Sequence, residues 1–124
     1  MKFVEYQDVA RHRIRAIEAN RIRVDQTWVA LPCALSAQQL ITDWQPEQDM
    51  ISVVDIEKLL ALAPADLILM GQTKPLKWDA NWFQLQAKLN QRDIGIEQMP
   101  LEAAVRTFSV LTTEERPIWL ILNA

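Results

Sequence analysis

The sequence predicts an α/β domain in three layers, and three observations lead there. From Asp66 onward, short apolar runs alternate with segments of helical periodicity in the order strand, helix, strand, helix, strand. Two short segments nearer the N-terminus alternate polar and apolar residues, as half-buried strands do. Half of the 124 residues are apolar and 23% are charged, which is globular composition at the length of one domain.

Residues 1–12 are polar and uninformative, a poorly defined N-terminal segment of one domain spanning 1–124. Arg13-Ile14-Arg15-Ala16 and Arg21-Ile22-Arg23-Val24 then read as the two strands of a hairpin. A two-residue loop at Ala19-Asn20 sets Arg15 opposite Val24 and mixes unlike residues on one face. A three-residue loop, Glu18-Ala19-Asn20, pairs Ile14 with Val24 and Ala16 with Ile22, with Asn20 left-handed at the corner, and satisfies both strands. Asp25-Gln26 is the next turn, leading into the strand formers Thr27-Trp28-Val29-Ala30-Leu31. Residues 34–44 read equally as a short helix after Ser36 or as two short strands, and Pro32 marks a sheet edge or bulge. Gln45-Pro46-Glu47-Gln48-Asp49 is a polar loop.

Ser52 and Asp55 have N-cap and N3 spacing, opening a helix with Val53, Ile56, Leu59 and Leu60 on one stripe. Pro64 ends it, because the residue before a proline is driven out of the helical region. Asp66-Leu67-Ile68-Leu69-Met70, closed by Gly71, suits a strand buried on both faces. Asp79 caps a second helix carrying Trp82, Leu85 and Leu89. The strand Ile94-Gly95-Ile96-Glu97-Gln98-Met99 follows, then a third helix after Pro100 with Leu101, Ala104, Val105, Phe108 and Leu111 on its stripe. Pro117-Ile118-Trp119-Leu120-Ile121-Leu122 is the closing strand. This βαβαβ run demands a sheet with helices packed on it. The hairpin either extends that sheet or packs as a second small one.

Composition excludes several chemistries. One Cys (Cys33) and one His (His12) leave no disulfide framework and no protein-only zinc set, so no metal or cofactor is expected. Two Gly, Gly71 and Gly95, make no phosphate-cradling loop. A net charge of -3 argues against nucleic acid as partner. The start lacks the apolar stretch of a secretory signal, and the apolar runs at 59–64 and 118–122 fall far short of the ~20 residues that span a bilayer. A cytoplasmic location is expected, and the lone thiol agrees.

Residues Leu31-Pro32-Cys33-Ala34-Leu35, Ile41-Thr42-Asp43-Trp44 and Asp66-Leu67-Ile68-Leu69-Met70-Gly71 carry a resemblance. Gly95-Ile96-Glu97-Gln98-Met99 and Ala103-Ala104-Val105-Arg106-Thr107-Phe108-Ser109-Val110-Leu111 complete it. In this order and spacing, over about four-fifths of the chain, the sequence resembles the small α/β family that includes the mitochondrial respiratory complex I assembly factor three and uncharacterised bacterial and archaeal relatives. The resemblance implies a three-layer domain with a mixed central sheet and turns 34–44 toward strand. It also implies a non-enzymatic accessory role, through contacts with another protein or complex, in assembling a membrane-associated complex. The chain departs from the family's usual pattern at Gln72, Thr73, Val105 and Ser109, where members commonly carry Thr, Gly, Cys and Asn.

Open α/β sheets bind ligands at the C-terminal ends of their strands. That edge gathers Gly71, Gln72 and Thr73 with the start of the third helix, where Arg106 and Thr107 add a guanidinium and a hydroxyl. The arrangement suits a small anionic ligand or an enzyme site. The plainer reading, in which Gly71 ends a strand, Thr73 caps a turn and Arg106 pairs with a carboxylate, is favoured because no nucleophile and base accompany the set. Arg13, Arg15, Arg21 and Arg23 share a hairpin face, with Arg15 opposite Arg23 and Asp25 opposite Arg13. Such a face suits an acidic partner, an anionic membrane surface, or plain solvation. Cys33 reads as structural, Trp82 and Trp119 as core, and Trp44 or Trp78 as an interface anchor if exposed.

Overall fold

The computed structural model describes residues 12–48 and 50–123. Its centre is a five-stranded sheet in the order β5-β4-β8-β6-β7, formed by β4 (Cys33–Leu35), β5 (Leu40–Thr42), β6 (Leu67–Gln72), β7 (Gly95–Pro100) and β8 (Ile118–Asn123). β6 runs parallel to both β7 and β8, while β4 is antiparallel to β5 and β8. The sheet is therefore mixed, and residues 34–44 are two short strands. Pro32, expected at a sheet edge or bulge, instead precedes β4, which has a neighbour on each side, and follows a cis peptide bond from Leu31.

Alternation along the strands feeds two cores. Leu67, Leu69, Leu120, Leu122, Cys33 and Leu35 face one side, and Ile68, Met70, Trp119, Ile121 and Ala34 face the other. The second side is covered by α1 (Val53–Leu62) and α2 (Ala80–Asn90). Ile56, Leu59, Trp82, Leu85 and Leu89 fill that interface. The caps read from the sequence set the helix limits: Asp79 accepts the Trp82 N–H at 3.0 Å, and α1 gives way at Ala63, extended, just before Pro64. The first side holds α3 (Leu101–Thr113) and a separate sheet of β1 (Ile14–Glu18), β2 (Arg21–Val24) and β3 (Thr27–Ala30). Leu101, Ala104, Val105 and Phe108 of α3 share one cluster with Ile22, Val24 and Val29. Pro100 stands at the N-cap of α3 rather than in its first turn. The result is one α/β domain in three layers, the hairpin strands forming their own sheet.

The hairpin register differs from expectation. The loop is the two-residue Ala19-Asn20, with Glu18 opposite Arg21, Ile17 opposite Ile22 and Ala16 opposite Arg23. Ile14 does face Val24, because the register shifts between Ile14 and Ala16. The bulge at Arg15 takes up one residue, so Ile14 and Ile17 both turn onto the core although they are an odd number of positions apart. Arg15 therefore does not lie opposite Arg23, and Asn20 is not left-handed. The left-handed corner is Asp25, at φ 54°, whose Oδ1 accepts the Arg13 N–H at 3.1 Å.

Candidate functional site

Parallel strands β6, β7 and β8 end on the same side of the sheet, and there the α1–α2 layer stops short of covering it. The gap is a cleft of about 670 Å³, within the range of small-molecule sites. Met70 and Gln72 of β6, Gln98 of β7 and Asn123 of β8 reach it from the sheet. Asp79, Asn81, Trp82 and Leu85 reach it from the first turns of α2, and residues 44–48 with Met50 and Ile51 close the far wall.

Two buried polar side chains build the walls. Gln98 continues the inward alternation of Ile94 and Ile96, yet it is an amide. Its Nε2 donates to the Lys77 carbonyl at 2.5 Å and its Oε1 accepts the Lys77 N–H at 3.4 Å. The 73–79 connection is thereby tied to β7, which fixes where α2 starts and where Lys74 and Lys77 stand. Asp55, 3% exposed, accepts the Ser52 N–H at 2.9 Å, the Ser52 hydroxyl at 3.1 Å and the Glu47 N–H at 3.1 Å. The same carboxylate that caps α1 holds the cleft loop, and three donors satisfy it. The Lys58 ammonium reaches back to Glu47 from α1.

Trp44 lines the cleft half-buried, while Trp78 stands beside its mouth, 59% exposed. Trp78 meets Trp82 edge to face with ring centroids 6.2 Å apart. Lys74 and Lys77 line the mouth, and neither has an ion pair among the described residues.

The residues singled out from sequence at this edge separate. Gln72 lines the cleft and donates to the Pro75 carbonyl at 3.0 Å, and Thr73 is exposed beside it. Gly71 is a packing position on the opposite face. A Cβ there would come within 2.6 Å of the Ala104 Cβ and 2.9 Å of the Leu122 Cδ2, so only glycine lets α3 lie this close to β6. Arg106 is exposed on α3 and Val105 is buried beneath the helix. The Thr107 hydroxyl donates to the Ala103 carbonyl at 2.8 Å. Neither Arg106 nor Thr107 reaches the cleft.

The arginines separate as well. Arg13 and Arg15 line a small hollow of about 170 Å³ against α3, with His12, Phe108 and Thr112. Arg21 and Arg23 stand on the outer side of β2, alternating with buried Ile22 and Val24. Arg21 bonds Glu18 at 2.7 Å and lies 4.1 Å over the Trp28 ring.

Cys33 is fully buried, and burial pushes its thiol up to about 11, so it is neutral and unreactive at physiological pH. Among the described residues, no group of three or more His, Cys, Asp or Glu is placed to hold a metal ion. No helix there is long and apolar enough to cross a membrane.

Lys74, Lys77 and the residues of the 45–51 loop escape a reading by motif. Gln98 alone left a signal, as a polar residue at an inward strand position.

The profile of a family described as "Protein of unknown function (DUF498/DUF598)" matches residues 14–123. No curated protein matches the chain. The fold is similar to that of a Bordetella parapertussis protein, with a TM-score of 0.75 and 21% identity over 92% of this chain and 96% of that one. A Xanthomonas campestris protein superposes with a TM-score of 0.73 and 24% identity, over 90% of this chain and 83% of the other. A Bartonella henselae protein described as an outer membrane protein gives 0.70 and 21%, over 93% and 96% of the two chains. At these identities the likeness is one of fold.

Proposed function

Because the chain belongs to the DUF498/DUF598 family, whose function is unknown, we propose that it is a non-enzymatic accessory protein that works by contacts with another protein or complex. The observation that carries this reading is the distribution of exposed apolar side chains. Seven large ones are exposed among the described residues, and five of them (Met50, Val54, Leu62, Trp78 and Phe83) belong to α1, α2 or the segments leading into them. Concentration on one layer is what a contact surface requires, and tryptophan is the side chain most enriched among energetic anchors. The resemblance to the complex I assembly factor family adds the finer expectation that the complex served is membrane-associated.

Crosslinking in cells, comparing the natural protein with a Trp78→Ser, Phe83→Ser double variant, tests the reading. A specific attached protein that disappears with the variant supports it. A partner set indifferent to the variant, or none above background, rejects it.

The cleft supports a second reading, a domain that binds a small anionic ligand at the strand-end edge. Its centre lies at Gln72, Lys74 and Lys77, displaced from Gly71 and Arg106. A thermal-shift screen against organic and inorganic anions tests it, because a site at 100 times its dissociation constant adds about 2.7 kcal/mol of stability.

A further inference from the structure

Two tryptophans are buried on the α1–α2 side of the sheet, and they differ in one atom's fate. Trp119, fully buried, donates its Nε1–H to the Ala63 carbonyl at 2.8 Å. Trp82, 6% exposed, has a buried Nε1–H with no hydrogen-bond partner. Buried donors are almost always paired, so an orphan demands a reason. Trp82 is part of the cleft wall. The missing partner is an acceptor, and because the Nε1 itself has less than 1 Å² of accessible surface, one that enters through the cleft must displace the side chains that cover it.

The remaining wall defines that acceptor's chemistry. Lys74 and Lys77 bring two ammonium groups, and α2 begins here with the positive end of its dipole. The two carboxylates described in the wall are already engaged: Asp79 caps its own helix, and Glu47 pairs with Lys58. Trp44, Ile51, Met70 and Leu85 supply apolar surface. There is no arginine fork and no run of glycine amides of the kind that grips a phosphate.

We propose that the cleft binds a small carboxylic acid with an apolar body, its carboxylate accepting from Trp82 Nε1–H and facing Lys74 and Lys77. The proposal rests on the second reading above, that this edge binds an anion, and names the ligand class.

The test follows the indole N–H resonances of the ¹⁵N-labelled full chain, with Trp82 identified by the peak lost in Trp82→Phe. Octanoate and phenylacetate are titrated beside octanamide and phenylacetamide, with inorganic phosphate and ATP as apolar-free and bulky anions. Both acids should move the Trp82 resonance and leave Trp119 in place. Trp82→Phe, which keeps an aromatic side chain but loses the donor, should weaken the acids about tenfold. A Lys74→Glu, Lys77→Glu double variant, confined to exposed positions, should weaken the acids at least as much and leave the amides unchanged. Amides binding as tightly as acids would overturn the proposal. Phosphate or ATP moving Trp82 while the acids do not would overturn the ligand class and keep the anion site. Silence from every probe at ~10 mM, the millimolar range of the weakest specific binding, would remove both.

Discussion

The two faces of the central sheet use the same strands and reach opposite ends. On the α3 side, Gly71 lets a helix backbone settle against β6, with Ala104 where a side chain would otherwise stand, and the small sheet seals the rest. On the α1–α2 side, the helices bury Ile56, Leu59, Trp82 and Leu89 but leave the ends of β6, β7 and β8 uncovered. The closed face is held by apolar contact. The open one is positioned by buried polar side chains, Gln98 and Asp55, whose bonds run to backbone on loops. Apolar packing suffices where elements touch along their length, whereas a cavity needs its walls tied at points. Both faces bury an apolar core, and of the two the α1–α2 face leaves the larger opening beside it.

Gly71→Val has the largest expected effect, because its Cβ alone would sit 2.6 Å from the Ala104 Cβ. A loss of about 3 kcal/mol or more is expected, read as a lower urea midpoint. A neutral outcome would mean that α3 is loosely seated. Cys33, also on the closed side, gives a pH signature. Its thiol is held up at about 11 against 9.0 in the unfolded chain, so the unfolded state loses this proton first. The contribution is complete well below pH 9 and falls as pH rises toward 11, by about 2 kcal/mol over those two units. Urea unfolding of the natural protein and Cys33→Ala at pH 8 and pH 11 should show that extra loss in the natural protein alone.

Effects on the open side are smaller and local. Asp55→Ala removes the acceptor of three hydrogen bonds. It should cost about 2 kcal/mol and raise hydrogen exchange in 44–52 well before that in β6. Exchange rising equally everywhere would deny Asp55 its hold on the loop. Trp78→Ala should cost about 1 kcal/mol, the edge-to-face contact with Trp82, since the residue is otherwise 59% exposed. A large loss there would place Trp78 in the core and take it out of the contact surface.

What could be read beforehand follows the same division. Periodicity and capping placed α1, α2, β6 and β8 because those signals lie within each segment: Ser52 with Asp55, Asp79 with Trp82, Pro64 past a helix end. The register of β1 was not legible from the strand itself. Ile14 and Ile17 lie on opposite sides of a regular strand, and only the α3 surface that both must meet calls for a bulge at Arg15. The cleft was less legible still, because its walls come from positions as distant as Pro32 and Asn123. Gly71 stood out in the sequence for a sound reason, a special backbone position, but that reason is the approach of a helix and not of a ligand.

The place of β8 has a consequence for how the domain is made. It is the last strand in chain order, yet it lies between β4 and β6, so the β4–β5 pair and the β6–β7 pair have no common neighbour until it arrives. Until β8 docks, each pair carries a bare hydrogen-bonding margin, the kind of margin that recruits stray strands. The sheet knits only after Asn123 has cleared the exit tunnel. Closing the middle of the sheet is thus a late, long-range step that depends on one strand.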